Sequence, residues 1–124
     1  MEDQNAYFRR LHTQHVATTD GIPNGYLTPV RIFRSAFPNG IAINTPDYNA
    51  LCAFVSDEGY GHRQIAQILD FAFDLGYVNV LNNLGLVAPE AWKKEIARIE
   101  EVLRPHGLEA WRLEDEYGHP PKAR

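Results

Sequence analysis

The sequence predicts an α+β fold in which a small antiparallel sheet of about three strands packs against three to four helices. Three observations predict it. Residues 64–92 contain no Lys, Arg or His and are rich in Ile, Leu, Val, Phe and Tyr, as the interior of a fold is. Residues 20–46 hold half of the 8 prolines and a third of the 9 glycines, which is typical of turns and short strands. The remaining segments have apolar residues at helical spacing.

The N-terminal part predicts one helix and one hairpin. Residues 2–15 lack Gly and Pro, and their apolar side chains fall near one helical face. The segments 30–34 and 41–44 are short and contain β-branched residues, with the turn signal Pro38-Asn39-Gly40 between them. We therefore expect two antiparallel strands here.

The central part predicts two helices, 46–58 and 61–75. Thr45 can cap the first of them, and Pro46 and Asp47 suit its first turn. The second has an apolar stripe that includes Ile65 and Leu69. Both helices are expected to contribute to the core.

The C-terminal part is less uniform. Residues 77–84 fit a strand or a short helix, and the helix is preferred. A helix is predicted for 89–104 from Pro89 and its apolar spacing, and a third strand for 108–113 from alternation around Trp111. We expect residues 1–114 to form a single domain, with 115–124 as a flexible C-terminal tail.

Composition argues against several classes of function. The chain has 124 residues and a net charge of −4, and it contains no basic cluster for nucleic acid or for a membrane surface. Its single cysteine, Cys52, cannot form an internal disulfide. No secretory signal or membrane span is recognisable, so a cytoplasmic location is expected. No motif indicates a cofactor.

Two groups of residues are candidates for ligand binding. Tyr60 and His62 belong to the polar segment 56–63, predicted as a turn between helices, where His62 is a candidate general base. A solvated turn is the preferred interpretation of this segment, because no nucleophile is paired with His62 in the sequence. Arg31 and Arg34 lie on or beside the predicted hairpin, where they suit an anionic ligand or a partner, or form surface salt bridges. A cleft between hairpin and turn would bring the four residues together.

His12 and His15 are three residues apart, a spacing that places two imidazoles on one side of a helix. A metal site would need a third ligand, which the helix does not supply. Two partly exposed histidines at a helix end are the preferred interpretation.

Residues 62–84 partly match a DNA-binding helix-turn-helix. Ile65, Ala66 and Leu69 suit its first helix, but Asp70 stands where the turn wants Gly. The presumed reading helix has no Arg or Lys for phosphates or guanine edges. DNA binding is therefore disfavoured.

The absence of a paired nucleophile and base, a metal quartet and a phosphate loop favours a small acidic protein-interaction or regulatory protein without catalysis, such as an adaptor, an inhibitor or an immunity-type factor. Its partner would be a basic protein, and a homodimer stays open. The alternative is a small-ligand-binding protein or minor enzyme that uses Arg31, Arg34, Tyr60 and His62.

Overall fold

The computed structural model describes residues 3–114, which are mostly helical. Within that range the chain forms seven α-helices and one two-stranded antiparallel sheet. The helices are α1 (Gln4–Thr13), α2 (Leu27–Ala36), α3 (Pro46–Asp57), α4 (His62–Phe73), α5 (Tyr77–Leu86), α6 (Ile96–Leu103) and α7 (Leu108–Leu113). The strands are β1 (Thr18–Thr19) and β2 (Ile22–Pro23), which pair Thr18 with Pro23 and Thr19 with Ile22. Short 3-10 turns occupy Asn24–Tyr26, Pro89–Glu95 and Arg104–His106.

The two central helices form as the sequence predicts. Thr45 Oγ1 accepts a hydrogen bond from the Tyr48 amide at the start of α3, with Pro46 in the first turn. At the start of α4, Gln64 Oε1 accepts from the Gly61 amide. Asp74 ends α4 in the left-handed conformation, with a φ of 58°. Local capping chemistry therefore sets both helix limits.

The prediction of a three-stranded sheet is wrong in its elements, since residues 30–34 lie in α2 and residues 108–113 form α7. In α2 the buried residues include Val30 and Phe33, and in α7 they are Leu108 and Trp111. Both pairs are three residues apart, which is the helical repeat rather than the strand repeat. Pro29 is accommodated because it falls in the first turn of α2, where amide groups have no intrahelical partner.

The remaining predicted strand, 41–44, has no regular secondary structure. Its side chains do alternate between half-buried and exposed, as in a strand. However, the Thr45 amide donates to the Ala42 carbonyl and Asn44 has a φ of 67°, so the backbone turns instead of extending. The two-residue strands of the observed sheet flank the 20–21 turn and lie outside the three predicted strands.

Two C-terminal predictions are refined. Residues 77–84 are helical, and Tyr77, Val80 and Leu84 supply the buried side of α5. The predicted helix 89–104 starts as a 3-10 turn, and its backbone is non-helical at Trp92 before α6 begins. The limits of the predicted domain stay a prediction, and the predicted tail 115–124 lies outside the described residues.

The core surrounds α3 and α4. Eight consecutive residues of α3, 48–55, are buried, and so are Ile65, Ile68 and Leu69 of α4. Helices α2, α5, α6 and α7 pack around this pair through Phe33, Val80, Ile99, Leu103 and Trp111. The predicted dry interior is confirmed for Ile65 and Leu69, while Phe73 is half-buried. None of the helices within 3–114 is long and apolar enough to cross a membrane.

Candidate functional site

A cleft of about 750 Å³ opens at the C-terminal end of α4. Its walls come from the turn at 20–22, the turn at 37–40 that follows α2, residues 70–74 at the end of α4, and one side chain each from α1 and α2. Two arginines, Arg9 and Arg34, and three aspartates, Asp20, Asp70 and Asp74, line it together with Phe37 and Phe73. We call this space the Arg34 cleft. Its volume lies in the range of small-molecule sites.

Arg34 is fixed by the end of α4. Its Nε donates to the Ala72 carbonyl at 3.1 Å, and its Nη2 donates to the Phe71 carbonyl at 2.6 Å. The last carbonyls of a helix have no amide partners of their own, so the guanidinium serves as a C-terminal cap. These bonds use one edge of the planar group. Among residues 3–114 no carboxylate lies within ion-pair distance of Arg34, and its Nη1 makes no hydrogen bond to these residues.

Arg9 has the opposite arrangement, because its charge is satisfied by carboxylates. Its Nε and Nη2 donate to the two oxygens of Asp70 at 2.9 and 2.8 Å, and Nη2 also contacts Asp74. The Asp70 side chain is only 1% exposed and also accepts from the Gly76 amide. The hydrogen bond to Asp70 raises the pKa of Arg9 above its usual value. Arg9 therefore ties α1 to α4.

Of the four predicted ligand-binding residues, only Arg34 lines this cleft. Arg31 is exposed on α2, with its Nη2 3.7 Å from Asp20. Tyr60 is buried and stacked on Trp111, and this burial raises the pKa of Tyr60. His62 is exposed at the first turn of α4, about 14 Å along the helix from the carbonyls that bind Arg34 at about 1.5 Å per residue. The structure does not bring the four side chains into one cavity.

The polar segment 56–63 is only partly a solvated turn. Glu58 is 3% exposed and accepts two hydrogen bonds from Arg112, at 3.2 and 3.1 Å. Arg112 also donates to Glu100 at 2.6 Å. Burial opposes the charge on Arg112, but these two carboxylates outweigh it and raise its pKa. A residue from 54 positions away thus neutralises Glu58, which no local pattern indicates.

The two histidines of the N-terminal segment have different surroundings. The His12 ring packs on Tyr77, with ring centroids 4.4 Å apart, and burial lowers its pKa. His15 follows α1 in an exposed turn, with a φ of 61°. In the part of the chain that the structure describes, no group of three or more His, Cys, Asp or Glu residues is placed to hold a metal.

Sequence inspection also misses a serine–histidine contact. Ser35 Oγ lies 2.7 Å from His106 Nδ1, and both residues are exposed. A serine nucleophile needs a base that a third group orients and a surrounding site. Neither residue lines the Arg34 cleft, and among residues 3–114 no carboxylate pairs with His106. The geometry is that of a surface hydrogen bond.

The segment 62–84 does form two helices, α4 and α5, joined by a turn at residues 74–76. Helix α5 buries Tyr77, Val80 and Leu84, and it contains no Lys or Arg. A helix without cations supplies no charged phosphate contacts. The prediction against DNA binding remains a prediction.

A second surface lies at the N-terminal segment. Helix α1 has no buried residue, and Tyr7 and Leu11 are each 43% exposed. Val16 is 50% exposed and borders a groove of about 400 Å³ that His12 and Tyr26 also line. Of the five large hydrophobic residues exposed among those described, three belong to this segment. We call Tyr7, Leu11, Val16 and the groove the N-terminal surface.

Comparison of the chain with protein families, with curated proteins and with solved structures gave no match.

Proposed function

We propose that this chain is a small protein-interaction or regulatory protein without catalysis, and that a protein partner binds its N-terminal surface. The observation that supports the proposal is the clustering of three exposed large hydrophobic residues on a segment whose helix buries none of its own. Apolar residues exposed singly are ordinary, whereas several exposed in one segment are typical of interaction sites. Of the three, Val16 also lines the groove.

The side chains suit such a contact. The Arg10 guanidinium lies over the Tyr7 ring, 5.3 Å from its centroid, so an aromatic and an arginine are held together before any partner binds. Tyr and Arg are enriched among residues that dominate binding energy. Complete burial of an exposed Leu or Val contributes roughly 1.5–3 kcal/mol. Leu11 and Val16 are about half exposed, so each would contribute about half as much.

Charge has a smaller part in this proposal than the sequence indicates. Two acids, Asp70 and Glu58, are buried and form ion pairs with Arg9 and Arg112 respectively. They are therefore not presented to a basic partner. We expect the partner to be held mainly by apolar contact, with electrostatic steering by the remaining acids as a minor effect.

The test is affinity capture from the native host with the tagged protein, at low and at high salt. Leu11→Asp and Val16→Asp should each abolish capture of the same partner. Leu86→Asp is the matched control, because Leu86 is 84% exposed but lies at the end of α5. Circular dichroism should show that all three variants fold.

Three outcomes would contradict the proposal. They are no specific protein captured, a partner retained by all variants, or a partner lost equally in the Leu86→Asp control. Light scattering of the purified protein shows whether a second copy of the chain is the partner. A dimer that Leu11→Asp dissociates would identify the N-terminal surface as a homodimer interface.

A further inference from the structure

We propose that the Arg34 cleft binds a small zwitterion with an apolar part, of the class of the α-amino acids. Arg34 would hold the carboxylate, Asp20 would hold the ammonium group, and Phe37 and Phe73 would contact the apolar part. This site is separate from the N-terminal surface, and it does not depend on the protein-interaction proposal.

The anion end of the site is the exposed edge of Arg34. The carbonyls of Phe71 and Ala72 hold the Nε and Nη2 atoms and so fix the plane of the guanidinium. A fixed plane loses less freedom when a second acceptor binds. Nη1 and the remaining N–H of Nη2 form a second fork, which matches the two oxygens of a carboxylate. The other arginine of the cleft, Arg9, is already held by Asp70 and Asp74.

The balance of charge favours a zwitterion over a simple anion. The lining holds two arginines and three aspartates, and a third arginine, Arg31, lies 3.7 Å from Asp20, so these charges balance. A ligand without net charge keeps that balance, whereas an added carboxylate alone would disturb it. Asp20 is the best partner for the ammonium group, because it is 79% exposed and its ion pair with Arg31, at 3.7 Å, is longer than a hydrogen bond.

Turns and aromatic rings form the rest of the cleft. Asp20 and Asp74 have a positive φ because they lie in the β1–β2 turn and at the end of α4, conformations that Asp tolerates. On the apolar side, the rings of Phe37 and Phe73 meet edge to face, 6.3 Å between centroids. Both rings are half-buried, so an apolar group can pack beside them without displacing the core.

The test uses three related probes: L-phenylalanine, 3-phenylpropionate, which lacks the ammonium group, and 2-phenylethylamine, which lacks the carboxylate. Amide NMR spectra of the full chain are recorded during titration with each probe. L-Phenylalanine should shift the amides of Gly21, Gly40 and Asp74. Each truncated probe should bind at least about tenfold more weakly, since it loses a charge-assisted contact.

Two variants separate the ends of the site. Asp20→Asn keeps a residue that tolerates positive φ. It should weaken the binding of L-phenylalanine without affecting the binding of 3-phenylpropionate. Arg34→Lys keeps the charge but removes the planar fork, so it should weaken the binding of both L-phenylalanine and 3-phenylpropionate. Arg63→Gln is the control for charge, because Arg63 lies at the opposite end of α4, and it should bind like the parent protein.

The proposal is overturned if L-phenylalanine shifts none of these amides at millimolar concentration, or if all three probes bind equally. It is also overturned if Asp20→Asn binds L-phenylalanine like the parent. Should Arg34→Lys lose its fold through loss of the helix cap, Asp20→Asn still decides the question, because Asp20 does not cap α4.

Discussion

Helices α1 and α4 are similar in length but are held in the structure by different forces. Helix α4 buries seven of its residues, among them Ile65, Ile68 and Leu69. Helix α1 buries none, and it is held by the Arg9–Asp70 ion pair and by the rings of Phe8 and His12 against Tyr77. The difference shows that α4 is placed by apolar burial and α1 by a few specific contacts. Helices of the second kind have low local stability and are suited to exposed, functional surfaces.

The strongest test of this comparison places the same substitution in both helices. Leu69→Asp puts a charge at a position that is 1% exposed, and it should leave no folded protein, with a loss of more than about 4 kcal/mol in the free energy of unfolding. Leu11→Asp, on the exposed side of α1, should change that free energy by less than about 0.5 kcal/mol. Soluble yield and chemical denaturation measure both. A Leu69→Asp variant with parental melting would refute the core assignment.

The next test removes the contact that joins the two helices. Arg9→Met leaves Asp70 buried without its cation, and breaking a buried pair in this way costs roughly 3–5 kcal/mol. Because Arg9 is about one-third exposed, we expect the lower end of that range, with faster amide exchange throughout α1.

Two further variants sharpen that result. Arg98→Met breaks the exposed pair with Asp47 and should cost less than about 1 kcal/mol. Adding Asp70→Asn to Arg9→Met should recover part of the loss, since no buried charge then remains. Equal destabilisation by Arg9→Met and Arg98→Met would show that the Asp70 pair has no special role.

The same comparison explains which parts of the fold can be predicted from the sequence. The helix starts near Thr45 and Gly61 follow from local chemistry, since capping residues lie next to the turns they close. The predicted end at residue 75 is two residues late, because Asp74 takes the left-handed conformation. All three strand predictions fail, and their segments have only four to six residues. Over that length, alternation and the helical repeat give similar patterns, and packing on the α3–α4 core decides between them.

The candidate site shows a related limit. Arg34 is a candidate from the sequence because a guanidinium suits an anionic ligand. The structure places its side chain in the Arg34 cleft. The carbonyls that fix it are 37 and 38 positions away, however, so its cap role has no sequence signal. Glu58 and Tyr60 look like turn residues in the sequence. They are buried because Arg112 and Trp111 reach them from α7.

The smallest expected effect concerns the pH dependence of the α1 contact. Burial lowers the pKa of His12 below its usual value of 6.5, while the charge of Asp70 opposes this shift. The folded state therefore binds a proton at His12 less readily than the unfolded state does. The neutral, partly buried His12 ring therefore contributes to stability above about pH 6.5, and this contribution is lost as the pH falls below that value.

We expect the free energy of unfolding to fall between pH 7.5 and pH 5 by less than about 1 kcal/mol through His12, since the ring is only partly buried. His12→Phe keeps an aromatic ring against Tyr77 but does not titrate, so its stability should depend less on pH than that of the parent. His62→Gln, which changes an exposed histidine on α4, should leave the parental dependence intact. Urea denaturation at several pH values measures all three proteins. If His12→Phe and the parent have the same pH dependence, burial of the His12 ring does not help to hold α1 in place.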